Sequence, residues 1–132
     1  MEIDTEEDFQ YIICCRIFSQ YGKYKLVSNT FKRILSLVNK NEVKVSEHGY
    51  EELSADGITF RELVEDLPNA KIVEDYPDYY KGPCVLVLET GRNKNPIHAL
   101  WGIPKNQSCP AVLITAYCPD PGKWSLDFMR RK

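Results

Sequence analysis

The sequence predicts one α+β domain, with N-terminal helices packed on a four-stranded antiparallel sheet. Apolar residues recur at helical spacing within the first 40 positions, and four β-rich runs follow between positions 71 and 117. The connections between these runs are too short for the helical crossover that parallel strands need. A chain of 132 residues suits a single domain with one core.

Two helices joined by a short loop are predicted over residues 1–40, as a helical hairpin. The first spans residues 6–20, begins after Thr5 and ends before Gly22. The second spans residues 26–39. Its apolar stripe is formed by Val27, Phe31, Ile34, Leu35 and Val38.

The segment 43–67 is predicted to hold a short strand and two short helices. Residues 43–45 alternate between apolar and charged side chains, as in a strand. Ser46 can cap a helix over residues 47–55. Residues 59–62 form a capping box that opens the next helix, which ends at Leu67-Pro68.

The region 70–132 is predicted to form the sheet and a basic tail. Its strands are residues 71–76, 84–88, 97–103 and 111–117, and the second is apolar throughout, as in a strand covered on both faces. Alternation places Glu74 on one face with Ile72 and Tyr76, and Asp75 on the opposite face with Val73.

Composition excludes several classes of protein. The 43% hydrophobic and 27% charged residues are typical of a globular chain, and no apolar run approaches the roughly 20 residues of a membrane span. The acidic first eight residues do not resemble a signal peptide, so the sequence predicts a cytoplasmic protein. The five cysteines form no CxxC pair, and we expect reduced thiols.

Charge is unevenly distributed along the chain. Residues 41–90 carry 12 acids and 4 bases, whereas residues 91–132 carry 7 bases and 2 acids. A nucleic-acid binder needs a basic face, which only the C-terminal third can supply. The alternative is an ordinary solvated surface.

Two histidines are the acid–base candidates, since a histidine titrates near neutral pH. His48 lies at the start of the third helix and His98 lies on a strand. Each also has a structural interpretation, as a helix-start residue or a buried sheet residue. Their spacing to nearby carboxylates matches no metal site, and no phosphate-binding or hydrolase motif occurs, so no cofactor is expected.

The C-terminal tail combines aromatic and basic residues after the last strand. Tyr117 ends the strand, and Lys123, Trp124, Arg130 and Arg131 follow. Aromatic side chains can stack on the nucleobases of RNA, and neighbouring basic side chains can bind its phosphates. Alternatively, Trp124 seals the end of the sheet and the basic tail is frayed.

These residues together resemble a bacterial family, the domain of unknown function 4258. The resemblance covers about residues 34–132. It is carried by Ser46-Glu47-His48, Gly57-Ile58-Thr59, Ile72 to Pro77, Ile97-His98, and the closing Thr115-Ala116-Tyr117-Cys118-Pro119-Asp120-Pro121-Gly122-Lys123-Trp124.

The resemblance implies a fold near the RelE, ParE and BrnT toxins. It implies a metal-independent endoribonuclease paired with an antitoxin protein, with His48, His98 and Tyr117 as catalytic residues. Lys123, Trp124, Arg130 and Arg131 would then bind the RNA substrate. Family members often carry arginine where this chain has Glu52 and Asp56, and acids there repel phosphate. The alternative function is therefore a non-catalytic module that binds a partner or regulates it.

Overall fold

The computed structural model describes residues 28–91 and 94–132. The helices in these residues are α1 (Asn29–Asn39), α2 (Glu47–Asp56) and α3 (Phe60–Asp66), with a 3₁₀ turn at Leu67–Asn69. The strands are β1 (Val43–Val45), β2 (Lys71–Tyr76), β3 (Cys84–Thr90), β4 (Pro96–Gly102) and β5 (Ala111–Tyr117). The helix predicted over residues 6–20 falls outside the described residues, so the pairing predicted for the hairpin over 1–40 stays a prediction, while α1 corresponds to its second helix.

The strands form one mixed sheet in the order β1-β5-β4-β3-β2. The antiparallel meander of β2 to β5 agrees with the prediction. The predicted four-stranded, wholly antiparallel sheet is wrong, because β1 adds a fifth strand parallel to β5. Val43 pairs with Ala111 and Val45 with Leu113. The 65-residue connection between these two strands carries α2, α3 and three strands, which is long enough for a parallel crossover.

Side-chain caps fix where the described helices begin. The Ser28 hydroxyl accepts a hydrogen bond from the Phe31 amide at 3.0 Å, so α1 begins at Asn29 rather than at 26. The predicted capping box is confirmed, because Thr59 and Glu62 each accept from the other's backbone amide. These described helices are all too short to cross a bilayer.

Helix α2 lies against the edge of β5 beyond the end of β1. The Ser46 amide donates to the Leu113 carbonyl at 3.0 Å, and its hydroxyl donates to the Ile114 carbonyl at 2.8 Å. A Cβ atom at Gly49 would lie 2.8 Å from the Leu113 oxygen. Glycine is therefore required here for the helix to approach the strand.

The sheet has two buried faces. The inner face packs under the helices, through residues such as Ile34, Leu63 and Trp101. The outer face carries Leu86, Leu100 and Ile114 and is covered by Trp124 from the C-terminal segment. We use the names inner face and outer face in this sense below. Covering on both sides explains why β3 is apolar throughout.

A bulge in β2 changes the side-chain alternation predicted for that strand. The register shifts between Ile72 and Glu74, which pair with Val87 and Leu86. Ile72 therefore packs with the inner core, whereas Glu74 and Tyr76 share the outer face with Val73. The prediction that Glu74 shares a face with Ile72, and Asp75 with Val73, is wrong because the bulge inserts one residue.

Candidate functional site

His98 is the centre of a polar cluster on the outer face. It lies on β4, pairs with Tyr117 of β5 and is 0% exposed. Its Nε2 lies 2.8 Å from the Phe128 carbonyl, and its Nδ1 lies 3.3 Å from the Tyr117 hydroxyl. A carbonyl only accepts, so the proton is on Nε2 and the Tyr117 hydroxyl donates to Nδ1. Both ring nitrogens are thus engaged.

The surroundings of His98 hold the imidazole neutral. Burial is the main reason why the pKa of His98 is lowered to about 4. The hydrogen bond to the Phe128 carbonyl raises this pKa, and the Arg131 charge contributes to lowering it. Burial also raises the pKa of Tyr117, with Arg131 lowering it and Glu74 raising it. At neutral pH the pair is therefore an uncharged imidazole hydrogen-bonded to an uncharged phenol.

Glu74 and Arg131 form an ion pair beside this histidine. Arg131 Nε lies 3.5 Å from Glu74 Oε2, and the Tyr76 hydroxyl donates to Glu74 Oε1. Glu74 is 6% exposed. The Arg131 guanidinium also lies 4.5 Å from the centre of the Trp124 ring. The pair compensates the cost of burying the Glu74 carboxylate.

The C-terminal residues 123–132 fold into a small hairpin, named here the C-terminal hairpin. Trp124 pairs with Arg131, the Ser125 amide donates to the Arg130 carbonyl at 2.8 Å, and the Lys132 amide donates to the Lys123 carbonyl at 3.0 Å. Trp124 is 4% exposed and meets the His98 ring edge to face, with centres 4.4 Å apart. The tail is therefore packed on the outer face rather than frayed.

The structure brings together four of the seven predicted site residues. These are His98, Tyr117, Trp124 and Arg131. Lys123 and Arg130 lie on the exposed side of the C-terminal hairpin. His48 lies half-buried on α2, and its side chain makes no hydrogen bond or ion pair with residues 28–91 or 94–132. The sequence interpretation did not include Glu74 or Tyr76 in this cluster, because it placed both on one face with Ile72, whereas the bulge puts them on the outer face.

A second buried carboxyl, Glu89, was missed by the sequence interpretation. It is 1% exposed on the inner face, where Trp101 Nε1 donates to its Oε2 at 3.2 Å. Its Oε1 is buried without a hydrogen-bond partner among the described residues. Burial raises the pKa of Glu89 to about 8, the Trp101 bond lowers it, and the Asp66 charge raises it. In the sequence, Val85, Val87 and Glu89 are two residues apart on one strand, and this spacing indicates that Glu89 lies on the same face as the two valines.

The outward side of α2 is acidic and carries an exposed aromatic ring. Tyr50 is 67% exposed, and the exposed Glu47 and Glu51 are its neighbours at i−3 and i+1. The helix has no lysine or arginine. We call the exposed surface of Glu47, Tyr50 and Glu51 the α2 acidic face.

More acids continue from α2 towards α3. Asp56 Oδ2 accepts from the Cys118 amide at 3.1 Å. Burial, then the charges of Asp56 and Glu62, raise the pKa of the Cys118 thiol. An open cleft of about 200 Å³ follows, lined by Glu62, Glu65, Asp66, Thr90 and Gly91. The negative charge is thus spread over two helices.

The comparison with known proteins assigns a family and no function. No curated protein and no solved structure matches the chain. A family model described as "Domain of unknown function (DUF4258)" matches residues 45–118, from the end of β1 to just after β5. This match covers more than half of the chain and confirms the resemblance seen in the sequence. The chain therefore belongs to the DUF4258 family.

Proposed function

We propose that this protein is a non-catalytic binding module whose α2 acidic face docks a basic surface of a protein partner. The observation that carries the proposal is Tyr50, a large ring 67% exposed between acids on a helix without lysine or arginine. Tyrosine is enriched among residues that dominate binding energy, and surrounding charges guide the approach of an oppositely charged partner.

The state of His98 supports a non-catalytic role. A general acid or base works best when its pKa lies near the working pH and it can reach the substrate. His98 is fully buried, both its nitrogens are engaged, and its pKa is lowered to about 4. His48, the other histidine, is on α2 and makes no hydrogen bond within the described residues that would orient it for catalysis.

Site-specific crosslinking in cells tests the proposal. A photoreactive phenylalanine analogue is placed at Tyr50 and, as a matched control, at Tyr80, which is 55% exposed. We expect a discrete protein adduct from position 50 and not from position 80. The adduct should disappear in the Glu47→Lys/Glu51→Lys variant. The purified partner should bind more weakly at 300 mM than at 50 mM salt, since exposed charges are screened.

Equal labelling at both positions, or an adduct that survives the double charge reversal, would refute the docking role of α2. The same double variant should lose no more than about 1–2 kcal/mol of its free energy of unfolding, because both acids are exposed and only Glu47 lies in the first turn of α2, where the helix dipole favours an acid. A loss of the adduct in this folded variant then indicates that binding is lost, and not that the protein has unfolded.

The second candidate is a cytoplasmic RNA-cleaving toxin of the RelE, ParE and BrnT kind, paired with an antitoxin. The exposed Lys123, Arg130 and Lys132 support it, because they lie on the C-terminal hairpin whose Trp124 packs on His98. Expression should then arrest growth and cleave RNA, and His48→Ala with Tyr117→Phe should abolish both effects. RNA affinity should also fall steeply with salt, as counterions are released from the RNA backbone. Cleavage that survives these substitutions contradicts this candidate.

A further inference from the structure

We propose that the C-terminal hairpin is exchangeable, so that two copies of this chain can form a dimer in which each hairpin docks on the other copy's outer face. Trp124 and Arg131 of one copy would contact His98 and Glu74 of the second copy, in the arrangement seen within one chain. The partner is thus a second copy of this chain. The inference is independent of the α2 acidic face.

The hairpin has its own backbone hydrogen bonds, which do not depend on the sheet. Trp124 and Arg131 form a bridge, and the Ser125–Arg130 and Lys132–Lys123 bonds lie on either side of it. The Phe128 amide also donates to the Ser125 carbonyl at 2.9 Å, which closes the turn. These bonds are the same whether the hairpin docks on its own chain or on another, so exchange leaves them intact.

Side chains attach the hairpin to the sheet. His98 Nε2 donates to the Phe128 carbonyl, the Trp124 ring meets the His98 ring, and Arg131 pairs with Glu74. The outer face therefore accepts an aromatic ring at His98 and a guanidinium at Glu74. The hairpin of a second copy presents that chemistry in the required geometry, which is why we choose a second copy as the occupant.

The connection between β5 and the hairpin suits an exchange hinge. Residues 118–122 read Cys-Pro-Asp-Pro-Gly and are exposed except for Pro119. Local bonds to Asp120 hold the turn, since the Gly122 amide donates to its side chain at 2.8 Å and the Lys123 amide to its carbonyl at 2.9 Å. Prolines favour extended backbone, so straightening this turn carries the hairpin away from its own sheet.

The closed arrangement within one chain is an imperfect fit. Among residues 28–91 and 94–132, no acceptor lies in hydrogen-bond geometry with the buried Nε and Nη2 atoms of Arg131, and the 3.5 Å separation from Glu74 exceeds the usual length of such a bond. This loose contact between Arg131 and Glu74 lowers the cost of releasing the hairpin.

Chain connectivity sets the concentration at which exchange appears. A short linker holds the hairpin near its own face at an effective concentration on the order of 1 mM, so closed monomers dominate at micromolar concentration. We expect the wild-type chain to be a monomer at 10 µM. A dimer should accumulate above several hundred micromolar, as measured by size-exclusion chromatography with light scattering.

Complementary charge reversal is the decisive test. Glu74→Arg places two arginines together in a closed chain, and Arg131→Glu places two glutamates together. In an exchanged heterodimer of the two variants, each hairpin meets a face of opposite charge. We expect each variant alone to be a monomer at 50 µM, their equimolar mixture to be a dimer, and the double variant to return to a monomer.

A mixture that stays monomeric while both chains are folded, as judged by far-UV circular dichroism, overturns the inference. Arg130→Glu is the matched control, because Arg130 is on the same hairpin but exposed. Its mixture with Glu74→Arg should remain monomeric, and a dimer from that mixture also overturns the inference.

A shortened hinge tests the same inference without altering the buried charges. Deleting Asp120 and Pro121 keeps the hairpin from reaching its own face. We expect this variant to be a dimer at 10 µM, where the wild-type chain is a monomer. A variant that is folded, as judged by far-UV circular dichroism, and still monomeric at 10 µM counts against a docking face that a second copy can fill.

Discussion

Replacing Glu89 by glutamine should remove a pH dependence of stability that the buried carboxyl imposes. Burial raises the pKa of Glu89 from 4.5 to about 8 in the folded chain. The folded state therefore holds a proton that the unfolded state has released, and stability is lost as pH rises from about 4.5 to about 8. Glutamine keeps the acceptor for Trp101 Nε1 and cannot ionise.

The window from pH 6.5 to 8 isolates this effect. Each pH unit in which the folded state holds one extra proton costs about 1.4 kcal/mol, so Glu89 removes about 2 kcal/mol between pH 6.5 and 8. Below pH 6.5 His98 acts in the opposite direction, because its pKa is lowered from 6.5 to about 4 and the unfolded chain binds its proton first. The two effects nearly cancel between pH 4.5 and 6.5.

Urea denaturation at pH 6.5, 7.2 and 8 measures the difference between the wild-type chain and Glu89→Gln. We expect the wild-type free energy of unfolding to fall by about 2 kcal/mol more than that of the variant over this range. Glu65→Gln is the matched control, since its side chain is 61% exposed and it should follow the wild-type curve. Parallel curves for the wild-type chain and Glu89→Gln would refute a protonated, buried Glu89.

Three further substitutions test the contacts that position the elements. Gly49→Ala should lower the free energy of unfolding by about 1–3 kcal/mol in urea denaturation, because the added Cβ would lie 2.8 Å from the Leu113 oxygen. The control Ser54→Ala, on the exposed side of α2, should change the free energy of unfolding by less than about 0.5 kcal/mol. His98 and Glu89 offset each other below pH 6.5, so the free energy of unfolding of His98→Gln should rise by about 3 kcal/mol relative to that of the wild-type chain as pH falls from 6.5 to 4. A constant difference between the two urea-denaturation series contradicts the lowered pKa of His98. Thr59→Ala should cost about 1 kcal/mol in a urea titration through the lost cap, and no cost would contradict the capping box.

Local signals in the sequence predicted most of the secondary structure. The capping box at Thr59–Glu62 and the apolar run at residues 84–88 act through neighbours in the chain, and both lie where expected. The antiparallel order of β2 to β5 follows from their short connections. These features depend on spacing and on nearest-neighbour contacts, which a single sequence contains.

The pairing of strands that are distant in the sequence could not be predicted from such local signals. β1 has three residues, and nothing in their alternation specifies β5 as the partner or a parallel orientation. The bulge between Ile72 and Glu74 is set by what packs on each face, because Val73 enters the outer core and Ile72 the inner core. A one-residue shift of this kind reverses every later side chain on the strand, which is why Glu74 was not connected with His98.

The closing motif from Thr115 to Trp124 has a structural role that any functional test must separate from chemistry. Tyr117 and Trp124 contact the His98 ring, and the hairpin that follows returns Phe128 to His98 and Arg131 to Glu74. Alanine at Tyr117, His98 or Trp124 therefore removes packing or buried hydrogen bonds, and a loss of activity would follow from unfolding alone. Tyr117→Phe and His98→Gln preserve volume or hydrogen bonding. Any loss of function in these variants at unchanged far-UV circular dichroism can be attributed to the chemistry of the outer face.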